Sequence, residues 1–247
     1  MKRPQNPRFL VYYGHDKDLV PSLCQTDLLI FESRGWSDEQ LQRLRSGPSK
    51  LIGYISCFAW PDWLGSTKWW WGPKDRDPSW NAWWMSLSSM GWKFRVSQMW
   101  KSLRPGLDGL FFDNLDRLDQ DPKALKPFLK ILSQIRQTWP EAILIGNRGF
   151  SHWSSMSPYL DGILFENLTD SAFSAQDRNW VESKLAELQS TQVYALDYET
   201  RRVEREARRL RSVFPNLSYY CAPDESLQRL SQSALDQRPL DPEDSCE

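Results

Sequence analysis

Asp113 and Glu166 each close a short apolar run and are each followed by asparagine. Residues 108–114 read Asp-Gly-Leu-Phe-Phe-Asp-Asn, and residues 161–167 read Asp-Gly-Ile-Leu-Phe-Glu-Asn. The two acids therefore hold equivalent places in two structural units. A pair of carboxylates at the exits of two strands is the arrangement that hydrolysis of a glycosidic bond requires. Further polar residues gather at the ends of other apolar runs: Tyr13, Glu32, Asn147 and Asp197. These are candidates to position a substrate. Asp116, three residues beyond Asp113, reads either as a helper of that pair or as the N-cap of a short turn. The bland alternative for Asp113 and Glu166 is that they cap their own loops or pair with Arg148.

Other chemistries find less support. The chain has only two histidines, His15 and His152, and neither sits in a zinc-ligand spacing, so neither a metal nor another cofactor is expected. Ser151 and His152 are adjacent, but no GxSxG elbow surrounds a serine. Cys24, Cys57, Cys221 and Cys246 show no CxxC spacing and read as free thiols.

The elements that must carry these residues are legible as alternating runs. Eight strand-like segments are expected at 9–13, 28–32, 51–56, 109–113, 142–146, 162–166, 192–197 and 217–221. They are short, apolar and mostly free of charge, as parallel strands buried on both faces are. Helices are expected between them: from Asp38 to Arg45 with Ser37 as N-cap, and over 122–138, 177–189 and 200–213. In the last, Val203, Ala207, Leu210 and Phe214 make one stripe, and the surrounding arginines read as a solvated face paired with Glu204 and Glu206. The pattern predicts an α/β fold of the (β/α)8 TIM-barrel kind, a single domain over 1–234, with a disordered tail over 235–247. Barrel sites lie at the C-terminal ends of the strands, where the polar residues collect. In that register, Phe111 and Gly109 share the inward face with Asp113, and Leu164 and Gly162 share it with Glu166. The carboxyl separation, and so a retaining or inverting outcome, stays open.

Tryptophan is the compositional outlier. Of 14 residues, ten lie between Trp60 and Trp100, in a long connection over 57–104 after the third strand. Trp92 and Trp100 read as core residues of a helix. Trp69, Trp70 and Trp71 cannot all be buried on one face, so part of this run is expected to line a substrate cleft or to meet a protein partner.

The opening strand with Tyr13-Gly14, the segment Gly-Leu-Asp-Gly-Leu-Phe-Phe-Asp-Asn-Leu-Asp (106–116), Asn147-Arg148-Gly149, Leu-Phe-Glu-Asn (164–167) and Ala-Leu-Asp-Tyr (195–198) together resemble the endo-α-1,4-polygalactosaminidase-like barrels of glycoside hydrolase family 114. The resemblance spans about residues 8–225. It implies a (β/α)8 barrel that cleaves α-1,4 linkages of galactosamine-rich polysaccharide without a metal. It carries the catalytic roles to Asp113 and Glu166; we cast Asp113 as nucleophile and Glu166 as acid/base, an ordering that the two like environments leave open in sequence. The expected partner is therefore a carbohydrate polymer or oligosaccharide. The alternative is a non-catalytic barrel that binds glycan or protein through the Trp-rich loop.

A formal net charge of −1 gives no long-range attraction to nucleic acid. No apolar run reaches the length of a membrane span. With no signal peptide visible, the chain as written reads as cytoplasmic, or as secreted if a leader has been removed. Oligomeric state is not legible.

Overall fold

The computed structural model describes residues 7–235. Eight parallel strands form one sheet in chain order: β1 (Phe9–Tyr12), β2 (Leu28–Phe31), β3 (Lys50–Ser56), β4 (Gly109–Asp113), β5 (Ile143–Asn147), β6 (Gly162–Glu166), β7 (Gln192–Tyr198) and β8 (Leu217–Ala222). The sheet curls until its edge strands meet. At that seam the Phe9 and Tyr220 rings lie 6.1 Å apart, and just past the strand ends Tyr13 N donates to Leu227 O at 2.7 Å. The fold is the expected (β/α)8 barrel.

Alternation along each strand divides the core. Phe111, Ile145, Leu164, Tyr194 and Leu196 join the barrel interior with Phe9 and Tyr220. Leu110, Phe112 and Leu144 face outward onto Phe128, Leu132 and Ile135 of α4 (Leu125–Thr138). Ile163, Phe165, Val193 and Ala195 likewise pack on α6 (Ala175–Glu187) and α7 (Glu204–Val213). Gly109 is required low in the barrel: a Cβ there would stand 1.9 Å from the Ile143 carbonyl oxygen, so strands β4 and β5 could not keep their spacing.

Three helix starts differ from expectation, the first being α4, which a 3-10 turn over Pro122–Ala124 precedes. α2 (Asp38–Ser46) begins as expected after Ser37, which forms a capping box with Gln40. α6 begins at Ala175, because Ser174 caps it and pairs reciprocally with Asp177. α7 begins at Glu204, not at Thr200. The preceding turn bonds back to Tyr198 O through the amides of Arg201 and Arg202, and Val203 N donates to Thr169 Oγ1 at 3.1 Å. Arg202 and Arg208 pair with Glu204, and Arg209 pairs with Glu206 and Glu182. The arginine-rich face is solvated and paired, as expected.

The connection after β3 resolves into two parts. Residues 90–103 form α3 (Met90–Leu103), an ordinary barrel helix with Trp92 and Trp100 buried. Before it, the chain folds a small antiparallel sheet of three strands, Ala59–Pro61, Arg76–Asp77 and Ala82–Trp84, the last one central. This insertion has its own packed seam, in which Trp71 stands edge-on to Trp60 at 5.0 Å and Trp92 lies 6.0 Å from both. Arg95 of α3 lies over the Trp60 ring at 5.0 Å and the Trp71 ring at 5.6 Å.

The short helices α1 (Val20–Leu23), α5 (Trp153–Met156) and α8 (Gln232–Leu235) complete the set. The disorder expected over 235–247 lies outside the described residues, apart from Leu235, which closes α8. Among the described residues, no helix is long and apolar enough to cross a membrane.

Candidate active site

A cleft of about 940 Å³ opens over the C-terminal ends of the strands. Its floor is set by strand alternation: Val11 and Tyr13 from the first strand, Tyr54 and Ser56 from β3, Phe111 and Asp113 from β4, Leu164 and Glu166 from β6, Leu196 and Tyr198 from β7.

Asp113 sits in a ring of donors. Its Oδ2 accepts from Tyr54 Oη at 2.9 Å, and its Oδ1 accepts from Asn147 Nδ2 and from the Asn114 backbone N–H, each at 2.7 Å. Burial pushes the Asp113 carboxyl up from its ordinary value, and the neighbouring charge of Glu166 adds to this. The three donors oppose the shift. Glu166 accepts from Tyr198 Oη at 2.5 Å through Oε1. Its Oε2 accepts from Asn147 Nδ2 at 3.2 Å and lies 3.4 Å from the Arg148 guanidinium.

One amide thus serves both acids. With Asn147 Nδ2 at 2.7 Å from Asp113 and 3.2 Å from Glu166, those two carboxylate oxygens stand within about 6 Å of each other. The Asn147 carbonyl oxygen is buried and takes no hydrogen bond from the described residues. The reverse orientation of the amide would set that oxygen against two carboxylates, so the acids themselves fix its direction.

The turn geometry explains why asparagine follows each acid. Asn114 has φ 63° and Asn167 has φ 55°, the left-handed region that asparagine enters more readily than other side-chain-bearing residues. Each strand can therefore stop at its acid and turn away at once. Arg148, behind Asn147, does the same with φ 60°. That backbone is strained for arginine, and it brings the guanidinium between Glu166 and Asp116, 3.8 Å from the latter.

The expected substrate-positioning residues divide. Tyr13 joins the site, its ring 4.8 Å from that of Tyr54; burial, then the Asp113 charge, raise its phenol well above the ordinary value. Asn147 and Asp116 line the cleft, and Asp116 is half exposed. Asp116 does not cap the turn after β4; Asn114 stands at that position. Glu32 also lines the cleft, but Arg34 holds both its oxygens, at 2.7 Å and 2.5 Å.

Asp197 does not join them. Its neighbours Leu196 and Tyr198 point inward, so its own side chain points outward between β7 and the helices. There it accepts from Thr169 N at 3.0 Å, Thr169 Oγ1 at 2.7 Å and Tyr219 Oη at 2.9 Å. It pins the loop that leaves Glu166.

Trp69, Trp70 and Trp71 do not line the cleft either. Trp71 is buried in the insertion's own core, Trp70 rests against Gly91 at the start of α3, and Trp69 is 88% exposed elsewhere. The cleft takes Trp63, Trp80 and Trp84 instead. Tyr54 and Tyr198, which hold the two acids, were not singled out from sequence. Tyr54 shares the inward face of β3 with Ser56, and Tyr198 takes that of β7 because Asp197 points outward; strand alternation was the available signal for both.

The lining is acidic. Glu32, Asp77, Asp113, Asp116, Glu166 and Glu225 contribute carboxylates, and Arg148 is the single lysine or arginine among the described lining residues. Among the described residues, no three His, Cys, Asp or Glu side chains group so as to hold a metal ion.

The model of glycoside-hydrolase family GH114 matches residues 1–229. No curated protein matches the sequence. Solved structures share the fold. The glycoside hydrolase domain of PelA from Pseudomonas aeruginosa superposes with a TM-score of 0.72 at 19% identity, over 91% of this chain and 97% of that one. Ega3 from Aspergillus fumigatus, in complex with galactosamine, gives 0.67 at 12% identity, over 90% and 92%. An α-galactosidase from Thermus thermophilus, in complex with p-nitrophenyl α-D-galactopyranoside, gives 0.59 at 12% identity, over 94% and 60%.

Proposed function

The chain belongs to glycoside-hydrolase family GH114, and from that premise we propose that it is an endo-acting hydrolase of galactosamine-type polysaccharide with Asp113 and Glu166 as its two catalytic carboxyls. The observation that carries the reading is the Asn147 amide shared by both acids. It keeps one oxygen of each acid within about 6 Å of the other, which supports the close pair of a retaining enzyme, whose carboxyls stand roughly 5–5.5 Å apart.

In the first step Glu166 gives its proton to the glycosidic oxygen while Asp113 attacks the anomeric carbon. The bond to the leaving sugar breaks and an ester to Asp113 forms. In the second step Glu166, now a carboxylate, takes a proton from water as that water attacks the same carbon. The sugar leaves with its configuration retained and both acids return to their starting states.

The division of roles has physical support. Asp113 is half-buried and fixed by three donors, which favour its ionised form against the burial that raises it and suit a nucleophile that must not move. Glu166 keeps 24% of its side chain exposed, which suits a group that exchanges protons with water. Arg148 beside Glu166 steadies the carboxylate that forms when the proton is given up. The acidic cleft favours a cationic, partly deacetylated polymer.

The test is reducing-end release from partly deacetylated α-1,4-linked galactosamine polymer by wild type, Asp113→Asn and Glu166→Gln. Each variant should lose at least about 10³-fold in kcat while keeping its circular dichroism and a cooperative melting transition. A folded variant within tenfold of wild type would remove its carboxyl from the mechanism.

A further inference from the structure

The insertion sheet is two-sided, and its two faces have opposite characters. The pairs Trp60 with Trp83 and Trp83 with Arg76 place large side chains on one face. There Trp60 is buried and Arg76 lies over the Trp83 ring at 5.2 Å while pairing with Asp62. The alternate pairs are Ala59 with Trp84, Pro61 with Ala82, and Asp77 with Ala82. All five of these residues line the cleft. The cleft-facing side is therefore flat and small in its middle, where Ala59, Pro61 and Ala82 leave room above the sheet.

An aromatic ring stands at each end of this floor. Trp84 is held by Arg117, whose guanidinium sits 3.4 Å from the ring centroid. At the far end, the turn between the second and third strands carries Trp80, 59% exposed and lining the cleft. Asp77 opens that turn. Its Oδ1 accepts from Ser79 N at 3.0 Å, which fixes the carboxylate, and its Oδ2 takes no hydrogen bond from the described residues. An indole face and an oriented, uncompensated carboxylate thus share one turn at the rim of the cleft, borne by an element outside the barrel strands.

We propose that this face of the insertion sheet is a remote sugar-binding subsite, in which Trp80 stacks on one hexosamine ring of a polymer and Asp77 pairs with that ring's free 2-ammonium group. The inference rests on the reading of the cleft as a polysaccharide site, and it adds a selection made away from the bond that breaks. A sugar C–H face lies flat on indole, and a carboxylate accepts from an ammonium but gains little from an N-acetyl group in its place. The subsite therefore reads the deacetylation state of a unit that is not itself cleaved. Binding energy gathered there also favours long chains over short ones.

The experiment compares wild type, Trp80→Ala and Asp77→Asn on partly deacetylated α-1,4-galactosamine polymer, its fully N-acetylated counterpart, and a short aryl α-galactosaminide. Trp80→Ala should raise KM on the deacetylated polymer about tenfold with kcat little changed, and so lower the polymer-to-aryl-glycoside ratio of kcat/KM by the same factor. Asp77→Asn should cut the preference for the deacetylated over the acetylated polymer at least about fivefold. Unchanged ratios in both variants would overturn the proposal. The same substitutions made in a Glu166→Gln background and read by polymer retardation in a native gel separate this proposal from the catalytic one. Loss of retardation supports the subsite even if wild type cleaves neither polymer, and unaltered retardation sinks it.

Discussion

Taking the charge from Glu166 should make Asp113 a stronger acid. Burial and the Glu166 charge together raise the Asp113 carboxyl, and Glu166→Gln removes the second of these causes while leaving the first. The carboxyl resonance of Asp113, followed by carbon NMR, should titrate at lower pH in that variant than in wild type. No movement would mean that the two acids do not feel each other. A stability consequence follows from the same shift. A folded-state value above the unfolded one means that the native chain binds this proton more tightly, so stability is greatest below the ordinary carboxylate value, about pH 4, and falls as pH rises through the raised value. Asp113→Asn, which cannot ionise, should therefore melt higher than wild type at neutral pH and lose that advantage toward pH 4. Thermal scans across pH check the sign. Asn147 joins the two acids, and Asn147→Ala should cost about 10² in kcat with a smaller change in KM, because the amide orients both reacting groups. A loss confined to KM would make Asn147 a substrate contact only. The candidate pair was visible in sequence because two equivalent runs end in acids. Arg148 was visible only as a bland partner for those acids, since nothing in its side chain announces the left-handed backbone that carries it between Glu166 and Asp116.

At the scale of the element, the acid–asparagine phrase is a device for ending a strand. Replacing Asn167 by alanine leaves the left-handed turn to a residue that pays about 1–2 kcal/mol for it. Asn167→Ala should lower the melting temperature by roughly 2–8 °C, and Asn167→Gly should lower it less. Equal losses would show that the side chain, and not the backbone, is what matters there. The tryptophans of the insertion divide just as sharply. Trp71→Ala, in the packed seam with Trp60 and Trp92, should cost about 3–5 kcal/mol. Trp69→Ala, on an 88% exposed ring, should stay within about 0.5 kcal/mol of wild type. Chemical denaturation of the two variants tests the contrast. Sequence could not sort these rings, because three consecutive tryptophans in a tight turn have no strand or helix period to read. The same limit applied to the insertion sheet, whose strands are only two or three residues long. For the longer elements the periods were clear: strand bounds moved by one residue at most, and the later start of α7 has a side-chain cause, since Thr169 draws back Val203.

For the whole molecule, barrel class followed from eight runs mostly free of charge separated by amphipathic segments, since both signals arise from burial on two faces of a sheet. Which side of a strand Asp197 would take was a matter of one residue's register. The inward place fell to Tyr198, and Asp197 was left to hold the loop behind Glu166. The division of aromatic rings over the molecule has one more consequence. Trp60, Trp71, Trp92 and Trp100 are shut away from water, while Trp63 and Trp80 stand about 60% exposed on the walls of the cleft. Under ultraviolet light the first group emits as indole in a dry medium, and the second emits toward the red and is open to a collisional quencher such as acrylamide. A saccharide that fills the cleft takes water from the second group alone, so the protein carries its own optical gauge of occupancy, readable with no label attached and with the chemistry switched off.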